Sequence, residues 1–137
     1  MSAINDTETL RHILTDCKTI AVVGLSPNAT RASHFVARYM KDYGYRIIPV
    51  NPGHRELLGE TCYPDLASIP DKVDMVNVFR RPGDCPPIAE AAVAIGARVL
   101  WMQMGIESDE ALRIAEAGGL QVVMDRCLKV DFGRLMR

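Results

Sequence analysis

Five short apolar runs, rich in β-branched residues and bounded by turn-forming residues, punctuate this chain. They are residues 19–24 (TIAVVG), 45–50 (YRIIPV), 74–79 (DMVNVF), 98–102 (RVLWM) and 120–125 (LQVVMD). Their near-continuous apolarity, in place of strict alternation, predicts strands covered on both faces. Pro49 removes a ladder donor from the second run, but it lies near the strand end. Between the runs lie helical patterns. Residues 6–16 precede the first strand, and residues 33–43 have an N-cap candidate in Ser33 and a left-handed stop in Gly44. Pro86-Pro87 opens a helix over residues 86–95, with Gly96 after it, because proline suits a first turn. Ser108-Asp109-Glu110 caps another, ending at Ala117 before Gly118-Gly119, with its acids complementing the helix dipole. A short turn or helix after Pro64 ends at Ile69-Pro70.

Strands alternating with helices predict right-handed parallel crossovers. The expected architecture is α/β: a Rossmann-like, doubly wound, parallel five-stranded sheet with helices on both faces. At 137 residues, with no linker, repeat or low-complexity stretch, the chain reads as one domain over residues 1–137.

Charge and cysteine content exclude several functions. A net charge of −1 argues against a nucleic-acid partner, which calls for a basic excess. No N-terminal signal-like run and no stretch of about 20 apolar residues is present, so no membrane partner is expected. Cys17, Cys62, Cys85 and Cys127 form no C-x-x-C pair, and His12, His34 and His54 add no ligand spacing. That pattern disfavours zinc and disulfides, predicts no metal site, and suits a reducing cytoplasm.

In a doubly wound sheet, ligands bind beyond the carboxyl ends of the strands. That rule selects five loops, residues 24–33, 51–55, 80–84, 103–106 and 125–129. They hold Arg31, His54, Arg55, Arg80, Arg81, Arg126 and Lys129, a basic clustering that several phosphates would explain. The first loop, GLSPNATRAS, starts like a dinucleotide fingerprint but has Ser26 and Ala29 where further glycines belong. Gly24 permits the sharp turn, and the next helix start offers N–H groups to an anion. Ser26 can add a hydroxyl donor and Arg31 a planar, bidentate charge. Pro27 stiffens the loop and removes a donor. The end of the second strand, PVNPGHR, lacks the acid that grips the ribose of NAD, and its basic residues suit a ligand with phosphate on the adenosine ribose. NADP and coenzyme A both qualify.

VVGLSPNATRASH, YRIIPVNP, LLGETCYPDLASIP, DMVNVFRRP, GARVLWMQMGI and VVMDRCLK carry a resemblance over nearly the whole chain. It resembles the small stand-alone CoA-binding domain proteins, relatives of the N-terminal domain of the succinyl-CoA synthetase α-subunit. The resemblance implies CoA held across the strand ends. Gly24, Ser26, Pro27 and Arg31 would form the phosphate loop, and Asn51 and Pro52 would shape the pocket at the second strand. Phe79 and Arg80 would line the cofactor at the third, and Gln103 and Gly105 would border the thiol-bearing arm. In the synthetase, the thiol-end loop is polar–acidic–glycine and a second domain carries a phosphorylated histidine; here the loop is Gln103-Met104-Gly105. Ligase chemistry is therefore not inherited with the fold.

The expected function is binding of coenzyme A or an acyl-CoA in a non-catalytic nucleotide-binding domain. One alternative is an NADP-dependent oxidoreductase or dinucleotide-responsive redox sensor. Another is a subunit of an acyl-CoA ligase that needs a partner chain. No paired carboxylates or nucleophile triad stand out, so no catalytic residue is assigned, and homo-oligomerisation stays open. Met102, Met104, Met124 and Trp101 read as core. His34 reads as structural or solvent-facing. Cys127, between Arg126 and Lys129, reads as a small buried side chain, with a reactive thiol as the alternative.

Overall fold

The computed structural model describes residues 3–137. In chain order they form α1 (Thr7–Asp16), β1 (Thr19–Val23), α2 (Ala32–Asp42), β2 (Arg46–Val50) and a hairpin of β3 (Glu56–Leu57) and β4 (Glu60–Thr61). After it come β5 (Met75–Val78), α3 (Cys85–Ala94), β6 (Val99–Met102), α4 (Asp109–Ala117), β7 (Gln121–Val123) and α5 (Leu128–Leu135). A 3₁₀ turn at Leu66–Ser68 fills the interval after Pro64, and a second at Pro82–Asp84 leads into α3. The β2, β1, β5, β6 and β7 strands make one sheet in that order, with every pairing parallel. This is the five-stranded Rossmann-like α/β sheet expected from the strand–helix alternation.

Alternate residues of each strand feed separate cores, which is why the runs are apolar throughout. Ile20, Val22, Met75, Val99, Trp101 and Val123 pack beneath α1, α2 and α5. Ala21, Val23, Val76, Val78, Leu100 and Val122 pack beneath α3 and α4. Pro49 is accommodated because β2 is the edge strand, where a missing N–H breaks no interior ladder. Its carbonyl still accepts from Tyr63 N–H at 3.0 Å.

Several elements depart from the sequence expectation. The α2 helix begins one residue early, with Arg31 as its N-cap, and Ser33 lies inside the first turn, buried. Ser33 is drawn in because its hydroxyl serves the preceding loop. The last strand ends at Val123, so Asp125 belongs to the following turn, where it adopts φ +58°. Residues 125–129 are not wholly a loop, since α5 starts at Leu128. The β3–β4 hairpin was not foreseen either. Its Leu58-Gly59 turn has positive φ at both residues, which suits a tight two-residue connection.

Strand order reverses between β1 and β5, the place where doubly wound sheets bind ligands. Gly24 follows β1 there at φ +90°, and a β-carbon on it would stand 2.8 Å from the Phe79 carbonyl oxygen and 3.0 Å from Arg80 Cδ. Gly24→Ala should therefore destabilise the free protein by at least about 1–3 kcal/mol, the usual cost of a strained left-handed residue. Denaturant unfolding without ligand measures it, and an unchanged midpoint would contradict the close approach.

Candidate functional site

The loop after β1 is held by its own polar groups. Ser26 N–H donates to Ser33 Oγ at 2.9 Å, and Asn28 N–H donates to Ser26 Oγ at 3.1 Å. His34 Nδ1 lies 2.9 Å from the Ser26 carbonyl. A carbonyl can only accept, so Nδ1 carries the proton. His34 is thus a loop clamp, half-buried, and structural as expected. Ser26 keeps its hydroxyl hydrogen for an outside acceptor. Its backbone N–H does not remain available, because Ser33 has it.

Asn51 ties the second loop to the first. Its Nδ2 donates to the Leu25 carbonyl at 2.9 Å, and its Oδ1 accepts from Gly53 N–H at 3.0 Å. Asn51 thereby shapes the two loops, with one hydrogen of Nδ2 and one lone pair of Oδ1 engaged. Pro27 stands exposed at the outer bend.

Two adjoining cavities meet at Gly24. One, of about 310 Å³, is lined by Gly24, Ser26, Arg31, Ala32, Ser33 and Phe79. Here the first amides of α2 face no side-chain cap, and Arg31 is exposed with no ion-pair partner among the described residues. The other, of about 330 Å³, lies toward α3 and is largely apolar, with Val50, Pro52, Leu66 and Ile88 among its walls and Arg80 and Asp84 at its edge. Gly24, Ser26, Arg31, Pro52, Phe79 and Arg80 are therefore brought together. Phe79 is half-buried and forms a wall.

The basic clustering is weaker than the sequence suggested. Arg126 forms a two-pronged pair with the buried Asp131 carboxylate, at 2.6 and 2.8 Å, and Arg134 joins it at 3.3 Å. Hydrogen bonding to Asp131 raises the pKa of Arg126 further, so it remains charged but engaged. Arg80 and Arg81 lie 3.5 and 3.6 Å from Asp84. Lys129 Nζ sits over the Phe35 and Tyr39 rings, at 5.6 and 5.1 Å. Among the described residues, the basic residues of these loops without such partners are Arg31, His54 and Arg55, all exposed.

Gln103 and Gly105 lie apart from both cavities, at the end of β6. The Gln103 side chain is 5% exposed and its Oε1 accepts from Leu128 N–H at 3.3 Å. Gly105 N–H donates to Asp125 Oδ1 at 2.6 Å, which explains the strained backbone of Asp125. Met102 and Trp101 are core, as read from the sequence, with Trp101 Nε1 donating to the Arg126 carbonyl at 2.8 Å. Met104 is not core. It is 60% exposed, carried outward by the turn after β6. Met124 is half-buried.

Cys17, Cys62 and Cys85 are buried, and burial raises each thiol pKa, that of Cys17 to about 11. Cys127 is only half-buried and caps α5 through its backbone alone. Its two basic neighbours are engaged elsewhere. Asn77, in the middle of β5, went unnoticed in the sequence. It is fully buried, its Nδ2 donates to the Trp101 carbonyl at 3.2 Å, and its Oδ1 has no partner. Nothing in the run DMVNVF marks it out. Among the described residues no group of His, Cys, Asp and Glu is arranged for a metal, and no helix is long and apolar enough to cross a membrane.

Comparison with known proteins adds to this geometry. The model of the CoA binding domain matches residues 18–133. The Bacillus subtilis protein YneT is 44% identical over 121 residues, covering 88% of this chain and 90% of the relative. An ADP-forming acetate–CoA ligase of Archaeoglobus fulgidus is 31% identical over 124 residues, covering 81% of this chain and only 18% of the ligase. The solved structure of a Pyrococcus horikoshii protein superposes with a TM-score of 0.95 at 37% identity, covering 100% and 98% of the two chains.

The Asn51 tie gives a direct test. Asn51→Asp keeps the size and the acceptor for Gly53 but removes the donor to Leu25. It should lower stability by about 1–3 kcal/mol, the cost of an unsatisfied acceptor. Thermal melting checks this, and an unchanged midpoint would show the two loops to be independent.

Proposed function

The chain belongs to the CoA-binding domain family, and we propose that it binds coenzyme A or an acyl-CoA across the carboxyl edge of its sheet, without catalytic residues of its own. The observation that carries this reading is the cavity at the strand-order reversal. It combines the Ser26 hydroxyl, the unpaired Arg31 and the uncapped amides that open α2. Such a set suits a pyrophosphate.

The rest of the ligand follows from the surroundings. The apolar cavity by Pro52, Leu66 and Ile88 suits a flat adenine, and exposed His54 and Arg55 suit a phosphate on its ribose. No acid stands at the end of β2. A plain ribose diol therefore lacks its usual partner, which disfavours NAD. From the phosphates, the arm would run past Phe79 toward Gln103 and Gly105. The ligase relative extends well beyond the matched stretch, and its chemistry is not assigned to these residues.

Calorimetric titration with CoA, NADPH and NAD tests the reading. CoA should bind, and NAD should not. Binding of NADPH without CoA would contradict it. Arg31→Ala should weaken CoA by about 1.5–3 kcal/mol, the range for charged hydrogen bonds. Arg80→Ala should cost less than Arg31→Ala, because Asp84 already shares the Arg80 charge. Unaltered affinity in Arg31→Ala would make that arginine solvated surface.

A further inference from the structure

Gln103 stands at the carboxyl edge outside the cavities assigned to the phosphates and the adenine. Only 5% of the residue is exposed, an unusual setting for a glutamine without a full set of partners. The Leu128 N–H, the first amide of α5, can only donate. The carboxamide atom facing it at 3.3 Å is therefore Oε1, and Nε2 is fixed as the other atom. Nε2 has no protein acceptor among the described residues, and it is not among the fully enclosed polar atoms. A buried, oriented amide thus presents an open donor at the sheet edge.

The surroundings favour a carbonyl oxygen as its partner. The competing donor on the neighbouring turn, Gly105 N–H, is already bound to Asp125. Cys127, the N-cap of α5, provides no side-chain cap, so the partial positive charge of that helix start reinforces the same spot. Gln103 N–H donates to the Val78 carbonyl at 3.2 Å, which places residue 103 beside Phe79 and on the same face of the sheet. Phe79 walls the phosphate cavity. Met104, next in the chain, leaves an apolar side chain 60% exposed.

We infer that Gln103 recognises the carbonyl oxygen of an acyl thioester, so that the site selects acyl-CoA over free CoA. This rests on the CoA reading given above and names the ligand class within it. Against free CoA, the Nε2 donor meets a thiol, a weak acceptor. Against a thioester, it meets a carbonyl oxygen. A site that presents a buried donor discriminates against ligands that leave it unpaired.

Calorimetry with CoA and acetyl-CoA on the wild-type chain, Gln103→Glu and Gln103→Met tests this. Glu keeps an acceptor for Leu128 N–H but removes the donor, and Met removes both without adding charge. The wild type should bind acetyl-CoA about three- to tenfold tighter than CoA, the span of one neutral hydrogen bond. Both variants should lose that preference, with thermal melting confirming that they fold. Equal wild-type affinities, or a preference surviving in both variants, would overturn the inference while leaving CoA binding in place. Equal weakening of both ligands by the substitutions, without a wild-type preference, would assign Gln103 to an amide of the arm and also overturn it. If neither ligand binds the wild type, the CoA reading fails too.

Discussion

The structure depends on the close approach of two strand ends. The chain leaves β1 at Gly24 and passes so near the end of β5 that no side chain fits between them. This contact sits where the sheet order reverses, so the loops after β1 and β5 diverge to opposite faces and leave a crevice. Both cavities border Gly24. A residue with a β-carbon would push Phe79 and Arg80 aside and deform both at once.

The loops over that crevice are shaped before any ligand arrives. Ser33 and His34, from the first turn of α2, fix the two backbone polar groups of Ser26, while Asn51 reaches across from β2 to Leu25. These bonds leave outward-facing donors rather than consuming them all: the Ser26 hydroxyl, the Arg31 guanidinium and the opening amides of α2. Preorganisation of this kind lowers the ordering cost of binding. The structure applies the opposite treatment to Arg126, whose charge is neutralised within the fold by the buried Asp131. Charge near the strand ends is therefore divided between exposed groups such as Arg31 and groups paired within the fold such as Arg126.

The sheet was legible in the sequence because its strands are apolar on both sides and its helices carry clear caps, such as Ser108 and Gly44. The α5 helix was not, although Leu128, Phe132 and Leu135 have helical spacing, because Asp131 occupies a buried position and Gly133 interrupts the pattern. The grouping of Gly24, Ser26 and Arg31 could be read from the loop after β1, and the three do converge on one cavity. What could not be read was partnership. Arg126 and Arg31 look alike in a sequence, and only the fold brings Asp131 to one of them. Ser33 was misplaced as a cap for the same reason, since its true partner, Ser26, lies seven residues earlier. Asn77 and the open donor of Gln103 depend on burial and orientation that residue type does not convey.

The central claim is that one ligand spans the carboxyl edge from β2 to β6. Amide chemical-shift mapping by NMR during addition of CoA tests it most directly. The account predicts shifts concentrated at Gly24–Ser33, around Asn51–Arg55, at Phe79 and Arg80, and at Gln103–Gly105, with Asp16–Lys18 and Asp74 at the far edge unmoved. Shifts confined to the far edge, or no shifts at saturating CoA, would contradict it.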